Sequence, residues 1–281
     1  MKKDYFAKAS LGCLLCLLIF LAGCIHIGSW PMLAKYERQV QLSAPLAPGS
    51  VFTAQTHNGS ITITGANVAD CNLTATIIAR AATEEAARKL AEQVKIKLQA
   101  SNSRLTVKIQ KPAFMTNQSV SVNLDVTVPE HSDAEITTHN GAVRITNITG
   151  QVNATTHNGS ATAKQVSGTI KLETHNGSVT CKEISGDTNL RTHNGKINAA
   201  YYENAPAIFN ASMVTHNGSI DFTAPLNLSA TVDLSTHNGS INTDLPITII
   251  GKVTKRKLTG TIGTGEGKLH LETHNGSIKI N

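Results

Sequence analysis

Polar and apolar residues alternate along most of this 281-residue chain, and the alternation is organised around one tetrapeptide, Thr-His-Asn-Gly, which occurs eight times. Its glycines are Gly59, Gly141, Gly159, Gly177, Gly195, Gly218, Gly239 and Gly276. Two residues after each glycine stands Ile61, Val143, Ala161, Val179, Ile197, Ile220, Ile241 or Ile278, and every one is apolar. Five residues before stands Ala54, Ile136, Ala154, Leu172, Leu190, Met213, Leu234 or Leu271, and again none is polar. Positions seven before and four after are apolar except at Thr188 and Thr243. A period of two on both sides of the motif predicts two half-buried strands that meet at an Asn-Gly turn.

Between Gly141 and Gly195 a glycine recurs every nine positions, so the unit is 18 residues with two turns, one THNG and one of the "ITG", "VSG" or "ISG" type. Glycine is expected at both turns because it takes positive φ without steric cost. Asn-Gly between alternating strands is a strong hairpin signal, which makes an antiparallel meander the first reading. The alternative is a parallel β-solenoid in which each unit is one coil and coils stack about 4.8 Å apart. In a meander consecutive THNG turns lie two strands apart, and nothing asks them to be identical. Stacked coils put them directly on one another, where identical residues form ladders of Asn58, Asn140, Asn158, Asn176, Asn194, Asn217, Asn238 and Asn275 and allow close glycine packing. A long meander would also leave a wide apolar face that one helix cannot cover. The predicted fold is therefore all-β, a parallel β-helix, right-handed by the general rule for parallel crossovers.

From Thr138 onward the motif spacings are 18, 18, 18, 23, 21 and 37, so coils are expected to hold about 18–23 residues with loops taking up the excess. The value 37 is near two units and predicts a coil lacking the motif around residues 254–263. Residues 56–138 break the rhythm. "TEEAARKLAEQ" at 83–93 predicts a helix capped by Thr83 with Glu84 and Glu85 in its first turn, and residues 94–110 predict a hairpin about "SNS". The insertion, residues 83–112, is expected to shield the open end of the solenoid. Lys95, Lys97 and Lys108 fit a solvated sheet face better than an anion site.

The N-terminus carries Lys2 and Lys3, an apolar run from Leu11 to Leu21, and "LAGC" at 21–24. This reads as a signal peptide over residues 1–23, and its ending resembles the bacterial lipobox, which implies cleavage before Cys24 and lipid on its thiol. A tether over residues 24–37 and a solenoid domain over 38–281 follow. In the lipoprotein-sorting pattern Ile25 beside the cysteine points to the outer membrane. The partner so implied is a membrane, reached by an anchor that does not span it.

Composition changes the picture at three points. The chain is 4% aromatic and 16% charged, unlike an ordinary soluble enzyme. Its formal charge of +6 falls to +4 once Lys2, Lys3, Lys8 and Asp4 leave with the signal, too mild for a nucleic-acid partner. Cys13 and Cys16 also leave, and Cys71 and Cys181 alternate in phase with apolar neighbours, which predicts buried inert thiols.

"EEAARKLAEQVKIKL", "SVSVNLDVTVPEHSDAEITTHNGAVRI" at 119–145, the repeats, and "TGTIGTGEGKLHLETHNGSIKI" at 259–280 together resemble the bacterial family of adhesin-type proteins with β-strand repeats, a domain of unknown function. The resemblance covers residues 38–281 and implies a β-helix on the cell envelope with an adhesive role. Relatives commonly show "TVNG" where this chain has THNG, so no family role passes to the histidines.

Those histidines, His57, His139, His157, His175, His193, His216, His237 and His274, occupy one turn position and are expected to form a row. Neighbouring imidazoles chelate zinc, copper or nickel, which makes His139, His157, His175, His193, His216 and His237 candidate metal ligands for a binding or sensing module. Against this, duplication alone copies a residue that tolerates turn geometry, and no carboxylate recurs beside the rings. Such a row is expected to lose stability in acid as like charges accumulate. Acidic residues are scattered, no acid recurs to orient a Ser-His pair, and "GTIGTGEG" at 260–267 lacks the Lys-Ser/Thr of a phosphate loop, so neither catalysis nor a cofactor is expected. The expected function is a lipid-anchored envelope surface that displays a repeated polar edge to glycan or protein; the metal module is the alternative, and a polysaccharide-active enzyme the remaining one.

Overall fold

A computed structural model describes residues 33–113, 117–250 and 253–281. The expected signal peptide over residues 1–23, Cys24 and residues 25–32 of the expected tether lie outside the described residues. The strand Ala34–Pro45 begins inside the span expected as tether, because Ala34 to Glu37 pair with Ala81 to Ile78.

Each coil is built from two strands joined at the motif. Val152–Asn158 ends at an Asn, Ala161–Ser167 starts two residues after the Gly, and the two strands belong to different sheets. The next coil repeats both strands in parallel, with Ala154 beside Leu172, Asn158 beside Asn176 and Ala161 beside Val179. The result is a β-solenoid of two sheets, one of 11 strands and one of 12. Alternation drives it: Ala154, Leu172, Leu190 and Met213 point between the sheets and are 0% exposed, as are Ala161, Val179 and Ile197 from the facing sheet. Cys71 and Cys181 are among these buried residues, and burial pushes each thiol up to about 12.

Registers of 18 residues hold while coils are consecutive, and the longer spacings at 23 and 21 become loops at 202–209 and 224–229. The expected motif-free coil does not form. Lys257–Ile262 instead runs antiparallel to Ala230–Asn238, with Ala230 opposite Ile262 and Leu234 opposite Leu258. The chain then turns back, and Gly267–Asn275 slots in parallel between Asn210–Asn217 and Ala230–Asn238. The last THNG unit therefore lies inside the stack, and the antiparallel strand closes its end. Folding back antiparallel lets Thr248–Ile249 cover part of the strand's outer edge at Thr261 and Gly260.

The opposite end is closed the same way. Ala34–Pro45 pairs antiparallel with Asp70–Ala81, which pairs antiparallel with Ser119–Pro129, and only that strand returns to parallel pairing with Ile61–Ala66. The helix Glu84–Gln93 packs Ala87, Leu90 and Ala91 against the first two of these strands, and Thr83 Oγ1 accepts from the Ala86 N–H at 3.2 Å. The hairpin Lys95–Ser101 with Arg104–Gln110 ends the second sheet. The helix and the hairpin thus lie at this end of the two sheets.

Of the two reasons expected for glycine in THNG, close packing holds and positive φ mostly does not. Among the eight, only Gly59 takes positive φ, whereas Gly168 and Gly186 of the other turn do, at 129° and 101°. At Gly177 a Cβ would collide with the backbone carbonyl of Gly159 in the neighbouring coil, so the requirement is close backbone approach. Gly177→Ala is expected to cost roughly 3 kcal/mol or more, because the clash is with the backbone of the neighbouring coil, which a rigid stack does not let move away. Gly49→Ala, which meets nothing within 4 Å and has φ of 77°, is expected to cost about 1 kcal/mol from backbone strain alone. Urea unfolding midpoints of the two variants check the ranking.

Candidate functional site

The four residues of each motif divide the work of one turn. Threonine points inward, 1–6% exposed, and except at Thr56 its Oγ1 donates to the glycine carbonyl of the adjacent coil, as from Thr156 to Gly141, Thr174 to Gly159 and Thr192 to Gly177, each at 2.8 Å. Asparagine lies at the surface and its Nδ2 donates to the Oδ1 of the asparagine before it in the stack. The ladder runs Asn58, Asn140, Asn158, Asn176, Asn194, Asn217, Asn275, Asn238, with every rung at 2.7–2.8 Å. An amide carries both a donor and an acceptor, so an identical neighbour satisfies it on each side.

The histidines stand outward in the same order. Their ring centroids are 4.6–4.9 Å apart throughout, from His57 to His139, His157, His175, His193, His216, His274 and His237. Rings from His57 to His193 are stacked within 16° of parallel, His216 is turned by 70° and 75° from its two neighbours, and His237 lies on His274 at 5°. All but His216 are exposed. The expected row exists, yet its geometry does not suit the metal reading of His139, His157, His175, His193, His216 and His237. Nitrogen lone pairs lie in the ring plane, so stacked rings aim them in parallel and not at a shared point. Among the described residues, no group of three or more His, Cys, Asp or Glu is placed to hold a metal ion.

Beside the column runs an open groove of about 1290 Å³, floored by every motif histidine except His237 and by residues before the motif threonines, such as Thr155, Glu173 and Arg191. Its wall is the hairpin. Arg104–Gln110 pairs with Val51–Asn58 only from Arg104 to Thr106, and Val107, Lys108 and Ile109 beyond that point line the groove. Arg104 pins the departure point, donating to Thr53 Oγ1 at 2.7 Å and to both oxygens of Glu135. That bond holds the Glu135 carboxyl below its ordinary range. Lys111 at the same end donates to the Val120 carbonyl at 3.5 Å, and partial burial lowers its ammonium from the ordinary range. Lys108 therefore faces the groove, where Lys95 on the outer strand does not line it.

One cluster escapes sequence reasoning. His270 Nδ1 lies 3.3 Å from Asp233, and its Nε2 lies 3.4 Å from Glu272. Ser212 pairs across from His270, giving a serine, a histidine and an aspartate side by side on three neighbouring strands. Nε2 faces Glu272, and no hydrogen bond joins it to Ser212 among the described residues, so the serine lacks the base a nucleophile needs. Glu272 two residues from His270 on one strand was a legible signal; Asp233 was not, because only the inserted last coil brings it there.

Each rung being shared, removing one amide breaks two. Asn176→Ala is expected to cost about 1–3 kcal/mol, and Asn238→Ala, which loses a single bond to Asn275, less than half as much. Thermal unfolding of both variants checks the difference.

No curated protein matches this chain. Among solved structures it is similar to a "putative cell adhesion protein" from Clostridium sporogenes, at 10% identity over 86% of this chain and 99% of that one, with a TM-score of 0.39. It is likewise similar to a "putative adhesin" from Bacteroides fragilis, at 11% identity over 87% of this chain and 97% of that one, TM-score 0.38. A "putative lipid binding protein" from Parabacteroides distasonis matches at 10% identity over 87% and 97%, TM-score 0.34. The model of the Toastrack family, DUF4097, matches residues 47–281, all of the described strands except Ala34–Pro45, and the chain belongs to that family.

Proposed function

We propose that the chain is an envelope protein, anchored by lipid at Cys24, whose histidine-floored groove binds a linear glycan in an adhesive or structural role. The observation that carries this reading is the unbroken column of eight outward imidazoles, spaced 4.6–4.9 Å, with an open groove beside it. A stacked ring has no free face, but its in-plane nitrogens offer one donor or acceptor per coil, which suits hydroxyl groups repeating along a chain. Thr155, Glu173, Arg191 and Lys108 add further polar groups along the same track. Each contact is weak, and repetition multiplies it once the first is made, since later contacts are intramolecular. The "LAGC" sequence supports export and lipidation, which would hold this edge at the membrane surface.

Binding by repetition predicts dependence on ligand length. On a glycan array, retention is expected to rise with oligosaccharide length, and His157→Ala together with His175→Ala is expected to weaken it by roughly fivefold per ring, the worth of about 1 kcal/mol each. Equal retention of short and long glycans, or none above a lipid-anchored control protein, counts against the groove as the binding surface. Separately, Cys24→Ser is expected to move the protein from the membrane to the soluble fraction on cell fractionation; unchanged membrane association overturns the anchor.

A further inference from the structure

We propose that Asn238, alone among the eight Asn-Gly pairs, is a site of spontaneous covalent modification, converting to aspartate and isoaspartate in the folded protein. Asn-Gly is the dipeptide most open to this chemistry, because glycine places no side chain in the path of its own nitrogen. The Gly239 nitrogen gives up its proton to solvent base and bonds to Asn238 Cγ. The bond from Cγ to Nδ2 breaks, and that nitrogen leaves as ammonia with a proton from solvent. Water then opens the five-membered ring at either carbonyl. The net change is uptake of water and loss of ammonia.

Seven pairs are guarded by the stack. The glycine N–H of each donates to the asparagine carbonyl of the next coil, from Gly59 to Asn140, through Gly177 to Asn194, to Gly276 on Asn238, all at 3.0–3.2 Å. Freeing that nitrogen and swinging it toward Cγ requires local opening of the ladder. The six interior amides are also held on both sides. Asn58, at the opposite end, has a free Nδ2, but the Gly59 N–H is still bound to Asn140 at 3.0 Å.

Gly239 is the exception. It belongs to the last coil in space, so no THNG carbonyl lies beyond it, and its N–H has no acceptor among the described residues. Its neighbours are held, with the Ser240 N–H at 3.4 Å from Ser277 Oγ and the Ile241 N–H at 3.1 Å from the Lys255 carbonyl. Asn238 Oδ1 receives no donor, and only its Nδ2 is engaged, on Asn275 at 2.8 Å. This exposed residue thus combines the free nitrogen with a side chain tethered once. Conversion removes that Nδ2 donor and sets a carboxylate against the Asn275 oxygen, and isoaspartate lengthens the main chain, so the last rung frays.

The test uses the full-length native protein, held in mildly alkaline buffer at body temperature and sampled by peptide mapping with isoaspartate detection, beside a urea-unfolded control. In the unfolded control all eight pairs are expected to convert at similar rates. In the native protein Asn238 is expected to convert at least roughly tenfold faster than any other pair, the protection reflecting local opening. An interior pair converting as fast as Asn238, or Asn238 staying intact while the control converts, overturns the proposal. Asn238→Gln is expected to abolish early conversion without another pair taking its place; early conversion persisting elsewhere at the old rate assigns the site wrongly.

Discussion

The structure depends on one contact, the approach of a glycine in each coil to the peptide carbonyl of the glycine in the coil beside it. That approach leaves no room for a Cβ at Gly159, Gly177 or Gly195, and so it sets the coils in register with no lateral freedom. Everything on the turn edge follows. Once glycines superpose, the threonine hydroxyl two residues back from the asparagine meets a carbonyl, the asparagine amide meets another amide, and the imidazole meets another imidazole. The ladder and the column are two consequences of one register, which explains why the whole tetrapeptide, and not one residue of it, is repeated.

A parallel stack solves its interior and leaves its ends unsolved. Both ends here are closed by antiparallel strands, Ala34–Pro45 and Asp70–Ala81 at one and Lys257–Ile262 at the other. A helix and a hairpin add bulk at the first end. The hairpin also creates the groove, because it leaves the sheet after Thr106 while Arg104 stays fastened to Thr53 and Glu135. End closure and the groove of this Toastrack chain are therefore parts of the same device.

Much of the fold was legible in residue patterns. Alternation about each THNG located the strands, and residues such as Leu172, Leu190 and Val179, apolar in phase, are the ones found fully buried. The choice of stacking over a meander rested on identity of the turns, and the registers agree with it. Thr83, Glu84 and Glu85 marked the helix start through ordinary capping chemistry. Close glycine packing was anticipated from stacking, but positive φ, also anticipated, is a local property that most motif glycines lack; the clash at Gly177 involves Gly159, 18 positions away. The imidazole row was anticipated as a row, but parallel stacking, which separates the lone pairs, depends on side-chain packing that spacing does not encode.

By itself, the sequence determined the coil: which residues face inward, where the chain turns, and that like residues stack on like. Tertiary structure alone decided which coil sits beside which. Eight nearly identical turns present nearly identical edges, so local pattern cannot rank one pairing above another. Gly267–Asn275 pairs with both Asn210–Asn217 and Ala230–Asn238, a placement only the long-range fold specifies. That long-range choice placed Asp233 against His270, put Asn238 at the end of the ladder, and made Asn275 an interior rung although it comes last in the chain.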